Sequence, residues 1–290
     1  MTQALNDTPG GGNRRSRILH VPNGGGAGRS TAIAAASTVV FFGVIAVLVV
    51  RSPGWDEVKG RFFDRAIFGE TFPDLLAAFG TTLKLFLVAE VVVLVAGLVL
   101  AIVRSLPGPV FFPVRLLGAI YSDIFRSIPP LLLVLMLGFG VPALQIGGVP
   151  RSPFFWGVTA LALVYTSFVS EVYRAGIDSV HPSQDAAARS LGLSRMQSLR
   201  HVVLPQAVRR IIPPLLNDFI GLQKDTSLVA ALGVVEVLRQ AQIETSASFN
   251  YTPYIGAAIL FLAVTIPMTR LTDWLVARDR RRRQSSGAVG

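Results

Sequence analysis

The densest set of residues able to do chemistry is Lys224, Asp225, Thr226 and Ser227, two opposite charges and two hydroxyls in a row. They fall near the middle of residues 211–238, a largely apolar stretch long enough to cross a bilayer. Charged groups at such a depth are costly and mark a working site by default. The chemistry they offer is binding. Asp225 can face a cationic group, and Thr226, Ser227 or Lys224 can donate to an anionic one, so together they suit a zwitterion. The same residues equally suit an internal Lys224–Asp225 network that only holds helices together. Bond-making chemistry has no comparable set. With Cys 0, disulfides, thiolate metal sites and cysteine nucleophiles are all excluded. His20, His181 and His201 lack the i, i+4 spacing of a helical metal site. No catalytic residue, no metal ligand and no cofactor bound by this chain is expected.

What must position the polar set is a group of membrane helices. Of 290 residues, 51% are hydrophobic and only 15% charged, where a soluble domain carries roughly 25% charged. Mean hydropathy is +0.56. A soluble chain this apolar would expose large adhesive patches. The net charge of +10 would suit nucleic acid, but its distribution does not. Arg14, Arg15, Arg17 and Arg29 precede the first apolar run, and Arg278 and Arg280 to Arg283 follow the last. Basic clusters abutting apolar spans orient a membrane protein and suit an anionic lipid surface. No nucleic-acid partner is expected.

A hydrocarbon core of about 30 Å takes about 20 apolar residues in a helix. Six stretches fit: residues 31–50, 81–103, 114–141, 154–173, 211–238 and 254–276. The third is broken by Ser127, Pro129 and Pro130, which is tolerated at membrane depth only where backbone is buried in protein or lines a cavity. Residues 1–30 read as a disordered cytoplasmic tail. Within it, residues 24–30 lack the first glycine and the lysine of a phosphate-binding loop, so they read as a linker. Residues 31–50 read as an extra N-terminal transmembrane helix and 51–80 as an outer interfacial segment. Residues 81–276 form a core of five spans, and 277–290 a basic tail. The expected fold is therefore all-α and polytopic, with six transmembrane helices. Both termini then share one side, and the arginines of both tails and of residues 174–210 make that side cytoplasmic. Among the remaining charges, Lys84 is expected to snorkel and Glu90 needs a partner. Asp123 and Arg126 precede the break in the third span. Glu171 suits an i, i+3 pair with Arg174, and is also a candidate for the polar path.

Residues 174–210 are too long for a plain connector. The pattern predicts a short helix over 185–191 with Ser183 as N-cap, alanines giving it a small smooth face, and Gly192 allowing a left-handed C-cap. Ser194 is expected to cap a second helix, which Pro205 interrupts or bends. Such a hairpin in the cytoplasm fits a docking helix for a partner. Its register resembles the EAA loop of ABC importer permeases, in which Glu-Ala-Ala, three residues, Gly, nine residues and Ile-x-Leu-Pro follow in order. Ala187, Ala188, Gly192, Val202, Leu204 and Pro205 match, while Ala186 stands where the family's glutamate usually sits and Asp185 lies one residue earlier. The stretches from Phe125 to Leu132, Glu171 to Ile177, Leu204 to Ala207 and Lys224 to Leu228 further resemble the polar amino-acid permeases, over residues 81–276. The additional first span resembles glutamate/aspartate-type subunits.

That resemblance implies an ABC importer type I permease fold in the cell inner membrane, and a transport subunit that is not itself an enzyme. It implies separate ABC ATPase subunits, a second permease subunit, identical or paralogous, and an extracytoplasmic amino-acid-binding protein. Asp185, Ala186, Ala187, Ala188, Gly192, Leu204 and Pro205 would couple to the ATPase, and Lys224, Asp225, Thr226, Ser227 and Glu171 would line the substrate path. The alternatives are a permease for another small solute, such as methionine, an osmolyte or an oxyanion, and a partner-independent channel or carrier.

Overall fold

The structure, a computed structural model, describes residues 27–287, with side-chain surroundings for residues 30–278. Arg14, Arg15 and Arg17, and the side chains of Arg29 and Arg280 to Arg283, lie outside the described residues, as does most of the expected N-terminal tail. Among the described residues every regular element is helical. In chain order they are α1 (Ala27–Val50), α2 (Trp55–Phe62), α3 (Arg65–Arg104), α4 (Phe112–Ser127), α5 (Pro130–Leu135) and α6 (Val141–Ala143). Then follow α7 (Pro153–Asp178), α8 (Pro182–Ser190), α9 (Arg195–Ser198), α10 (Leu204–Asp225), α11 (Val237–Ser248) and α12 (Thr252–Gly287). A π turn, Met136–Gly140, joins α5 to α6, and a second, Leu199–Val203, joins α9 to α10.

The chain divides into two compact units, Met1–Glu57 and Val58–Gly290. In the first, α1 presents apolar side chains all round, with Val39, Phe41 and Leu48 each more than 60% exposed. The two hydroxyls within its apolar run do not need water: Ser37 and Thr38 both donate to the Ala34 carbonyl, at 2.9 and 2.7 Å. A run apolar on every side, with its hydroxyls bonded within the helix, is built for lipid.

In the second unit α7 is the central post. Ala160, Leu161, Ala162, Val164, Tyr165, Thr166, Ser167, Val169 and Ser170 are all buried. Ser167 and Ser170 donate to carbonyls within the helix, those of Val164 and Ser167. Leu85, Phe86, Ala89 and Val93 of α3, Leu133 and Val134 of α5, Leu222 of α10 and Val229 pack against this post. A second cluster joins Leu75 and Phe79 of α3 to Val237 and Ala241 of α11 and Ala257 and Leu260 of α12. Between helices in lipid, close packing rather than water release supplies the attraction, and small residues permit it. A Cβ on Gly97 of α3 would stand 2.8 Å from Val169 Cγ1, so α3 and α7 touch through that glycine.

Four helices are long and apolar enough to cross a membrane: Ser30–Val50, Trp55–Arg104, Pro153–Asp178 and Thr252–Arg278. The pair Phe112–Ser127 and Pro130–Ala143, bent by 102° at the expected break, makes a fifth if counted as one span. The stretch expected as the fifth span is different. α10 ends at Asp225, the chain tightens into 3-10 turns over Thr226–Leu232, and Gly233 at φ +82° reverses it before α11. α10 is too polar to pass the same test, since Arg209, Arg210, Asn217, Asp218, Gln223, Lys224 and Asp225 all fall within it. Residues 65–80, part of the 51–80 stretch read as an outer interfacial segment, form the first turns of α3, a single helix of 40 residues. Asp64 starts it by accepting the Ala66 and Ile67 N–H groups.

Candidate functional site

The hairpin between α7 and α10 is built from local capping. α8 begins three residues earlier than expected, at Pro182. His181, not Ser183, is its N-cap, and His181 Nδ1 receives the Ser183 N–H at 3.2 Å. The reason is Pro182: proline lacks an N–H and is favoured at the first helical position, which makes the residue before it the cap. At the other end Gly192 adopts φ +89°. Its N–H donates to Arg189 O at 3.0 Å, and Leu193 N–H reaches Ala188 O at 3.3 Å, the paired bonds of a Schellman motif. Ser194 caps α9 as expected, in a reciprocal box with Gln197. Pro205 does not break the second helix. It sits in the first turn of α10, and the wider π turn before it removes the clash a proline would make in a regular helix.

The residues assigned to coupling separate by role. Ala186 and Ala187 are exposed, and Leu191 and Met196 beside them are 85% and 70% exposed. Leu204 and Pro205 are also exposed. Ala188 is buried and braces the hairpin from within. Asp185 faces its own fold: its Oδ1 accepts the hydroxyl of the fully buried Ser198 at 2.6 Å, tying α8 to α9. The acid next to the missing glutamate is therefore a strut, and Ala186, Ala187, Leu191 and Met196 give the hairpin exposed apolar positions among exposed basic ones such as Arg189 and Arg195.

The polar set at the end of α10 is split in the same way. Asp225 Oδ2 accepts the Tyr165 hydroxyl at 2.9 Å, across from α7. Gly221, one turn earlier, leaves room for that hydroxyl, since a Cβ there would stand 3.0 Å from it. Lys224 is exposed, and no ion pair joins it to Asp225 among the described residues. Thr226 is fully buried and donates to Gln223 O at 2.7 Å, so it closes the helix end. Ser227 donates to Lys224 O at 2.8 Å and is half-buried. Asp225 and Lys224 are the accessible ionic groups of the four.

Three partners of this region were not singled out by their sequence. Tyr165 lies 60 residues from Asp225. Gln223 is 2% exposed, with Oε1 accepting from Thr265 of α12 at 3.0 Å and Nε2 buried without a partner. Asp218 keeps one buried carboxylate oxygen unpaired. It lies within electrostatic reach of Glu90 on α3 and of Arg126 on α4. The signal for Asp218 and Gln223 was the high polarity of α10 itself, and Tyr165 on α7 had none.

Glu171 is a clasp. Its Oε1 is bound by Arg104 of α3 and lies 4.0 Å from Arg126 of α4, and its Oε2 is 3.2 Å from Arg174. The i, i+3 pair with Arg174 is thus one arm of three. Arg104 also donates to the buried Ser122 of α4 at 2.8 Å, and Arg126 lies over the Phe168 ring at 5.7 Å. One carboxylate shared by three guanidiniums joins α3, α4 and α7 at the end where α3 and α7 finish. Among the described residues no group of His, Cys, Asp or Glu could hold a metal ion.

Comparison with known proteins bears on this arrangement. The profile of the binding-protein-dependent transport system inner membrane component family matches residues 94–281. The chain is 33% identical over 217 residues to a probable amino-acid ABC transporter permease protein of Vibrio harveyi, covering 74% of this chain and 96% of that one. It is also 33% identical to a probable glutamine ABC transporter permease protein of Bacillus subtilis, over 73% of this chain and 96% of the relative. Among solved structures, a chain of an amino acid ABC transporter crystallised with histidines superposes with a TM-score of 0.66 at 31% identity, covering 74% of this chain and 98% of that chain.

Proposed function

The chain belongs to the family of binding-protein-dependent transport system inner membrane components, and from that premise we propose that it forms half of the translocation path of an importer for polar amino acids, of glutamate or glutamine type. It is a transport subunit, and in such systems ATP hydrolysis is performed by separate subunits. The observation that carries the substrate class is the broken end of α10. There Asp225, held by Tyr165, and the exposed Lys224 offer opposite charges at adjacent positions of one helix end. An amino acid presents the complementary pair, ammonium and carboxylate, and a helix end lining a cavity is where transport proteins hold such groups. The relatives named for amino acids and glutamine support the same reading.

In this reading two permease subunits stand above two ATPases, and an extracytoplasmic amino-acid-binding protein delivers the substrate. The exposed face of α8 with Leu191 and Met196 seats in the ATPase. The path counts six crossings, with α4 to α6 as one bent crossing and α10 with its 3-10 extension as another. Both termini lie in the cytoplasm, because the arginine-rich ends and the α8–α9 hairpin share one side.

The test is reconstitution. The chain is co-purified with its ATPase and binding protein and placed in liposomes, and amino acids are screened for stimulation of ATP hydrolysis. Stimulation by glutamate or glutamine above other amino acids is expected. If no amino acid stimulates hydrolysis in a complex that assembles, the substrate assignment falls.

A further inference from the structure

A cavity of about 310 Å³ opens between the start of α3 and the start of α12, walled by Phe62, Phe63, Phe68, Ile255 and Ile259, with Arg65 beside them. Its frame is fixed by contacts across the chain. Phe62 stacks on Tyr251 with ring centroids 5.1 Å apart. Tyr251 N–H donates to Arg61 O at 2.7 Å, the Asn250 amide donates to Gly60 O at 2.9 Å, and Asp64 N–H donates to Thr252 Oγ1 at 3.1 Å. The cavity is therefore a built feature and not a gap between loose ends.

Its depth follows from helix geometry. Thr265 is the midpoint of the apolar span Thr252–Arg278. At a rise of about 1.5 Å per residue, Thr252 stands about 20 Å from that midpoint and Ile259 about 9 Å. Half of a hydrocarbon core is about 15 Å. The floor of the cavity thus lies among acyl chains and its mouth at head-group level, where aromatic rings concentrate in membrane proteins. At that mouth Arg65 is exposed and makes no ion pair among the described residues. The nearest acid, Asp64, has its Oδ1 engaged by the Ala66 and Ile67 N–H groups, which spreads its charge into the start of α3.

We propose that this cavity binds one anionic phospholipid, its phosphate on Arg65 and one acyl chain against Phe68, Ile255 and Ile259. A water-soluble ligand would find almost no polar wall to bind. A zwitterionic lipid would offer the same chain and a phosphate whose charge its own head group already balances. An unpaired guanidinium over an apolar slot at this depth favours the anionic one.

The full chain, purified with its partner subunits in detergent and stripped of lipid, is titrated with phosphatidylglycerol or phosphatidylcholine, and bound lipid is counted by native mass spectrometry. One phosphatidylglycerol is expected to bind about fivefold more tightly than phosphatidylcholine, the worth of one basic residue near an anionic lipid surface. Arg65→Glu abolishes that preference, and Ile259→Trp, which fills the slot, removes the site for both lipids. Size-exclusion profiles and basal ATP hydrolysis, read on each variant, separate loss of lipid from loss of assembly. The proposal is overturned if the two lipids bind alike, or if Ile259→Trp leaves the bound count unchanged in an intact assembly. It is also overturned if a photocrosslinker at Ile259 captures polypeptide and not lipid. None of these outcomes depends on which amino acid is carried.

Discussion

Asp225 and Thr226 are neighbours with opposite duties. Asp225 keeps one face toward the interior through a single bond to Tyr165, while Thr226 is sealed into the helix end. Asp225→Asn is therefore expected to raise the substrate concentration needed for half-maximal ATPase stimulation by about tenfold, since a charge-assisted contact is worth about 1.5–3 kcal/mol. Thr226→Val keeps the shape and loses one buried hydrogen bond, a cost of about 1 kcal/mol. Its half-maximal concentration should stay within about twofold of the parent while its thermal midpoint falls by a few degrees. If Thr226→Val changes affinity as much as Asp225→Asn does, the separation of roles is wrong. The residue types of this set were legible in the sequence. Their division was not, because burial of Thr226 and engagement of Asp225 depend on a tyrosine in another helix. Glu171 makes the same point: spacing reveals Arg174, three positions on along the same face, but Arg104 and Arg126 reach it only after α3 and α4 fold against α7.

At the scale of elements, the α8–α9 hairpin was the most legible part, because capping is written within a few residues. Gly192 and Ser194 act where their spacing says they should. The misplaced N-cap had a local signal too, the proline at 182. Gly192→Ala forces an alanine into the left-handed region at a cost of about 1–2 kcal/mol. Retention of the ATPase on the purified permease should drop several-fold, while spans distant from the hairpin keep their protease resistance. Leu191→Asp and Met196→Asp, both on exposed positions, should remove ATPase retention without lowering the thermal midpoint. A fall in the midpoint equal to that of a core variant such as Leu161→Ala would show that these side chains brace the hairpin instead of facing a partner. By contrast, the break at Thr226 and the length of α3 were not legible. Hydropathy averaged over a span runs straight across a helix end, and it cannot tell a polar surface segment from polar turns of a helix that packs on its neighbours.

For the whole molecule, the composition carried the class, and the distribution of arginine sets an expected orientation. The missing cysteines make that orientation easy to check. Single variants Leu191→Cys and Ser248→Cys place one thiol on the hairpin and one at the end of α11, both at exposed positions. A membrane-impermeant maleimide applied to intact cells with a permeable outer layer should label Ser248→Cys and spare Leu191→Cys, and disruption of the membrane should expose both. Labelling of Leu191→Cys in intact cells would reverse the topology. The 102° bend between α4 and α5 has a consequence for how the chain is made. At about 1.5 Å per residue, α4 is about 24 Å long and the Pro130–Ala143 limb about 21 Å. Neither alone covers a hydrocarbon core of about 30 Å. The carbonyls and side-chain oxygens freed at the bend need protein around them, and the Tyr121 hydroxyl that anchors α4 does so on Leu163 O, in a helix that follows it in the chain. The two limbs must therefore wait, sheltered by the insertion machinery, until α7 arrives, which makes α7 the gatekeeper of biogenesis as well as the post of the finished fold.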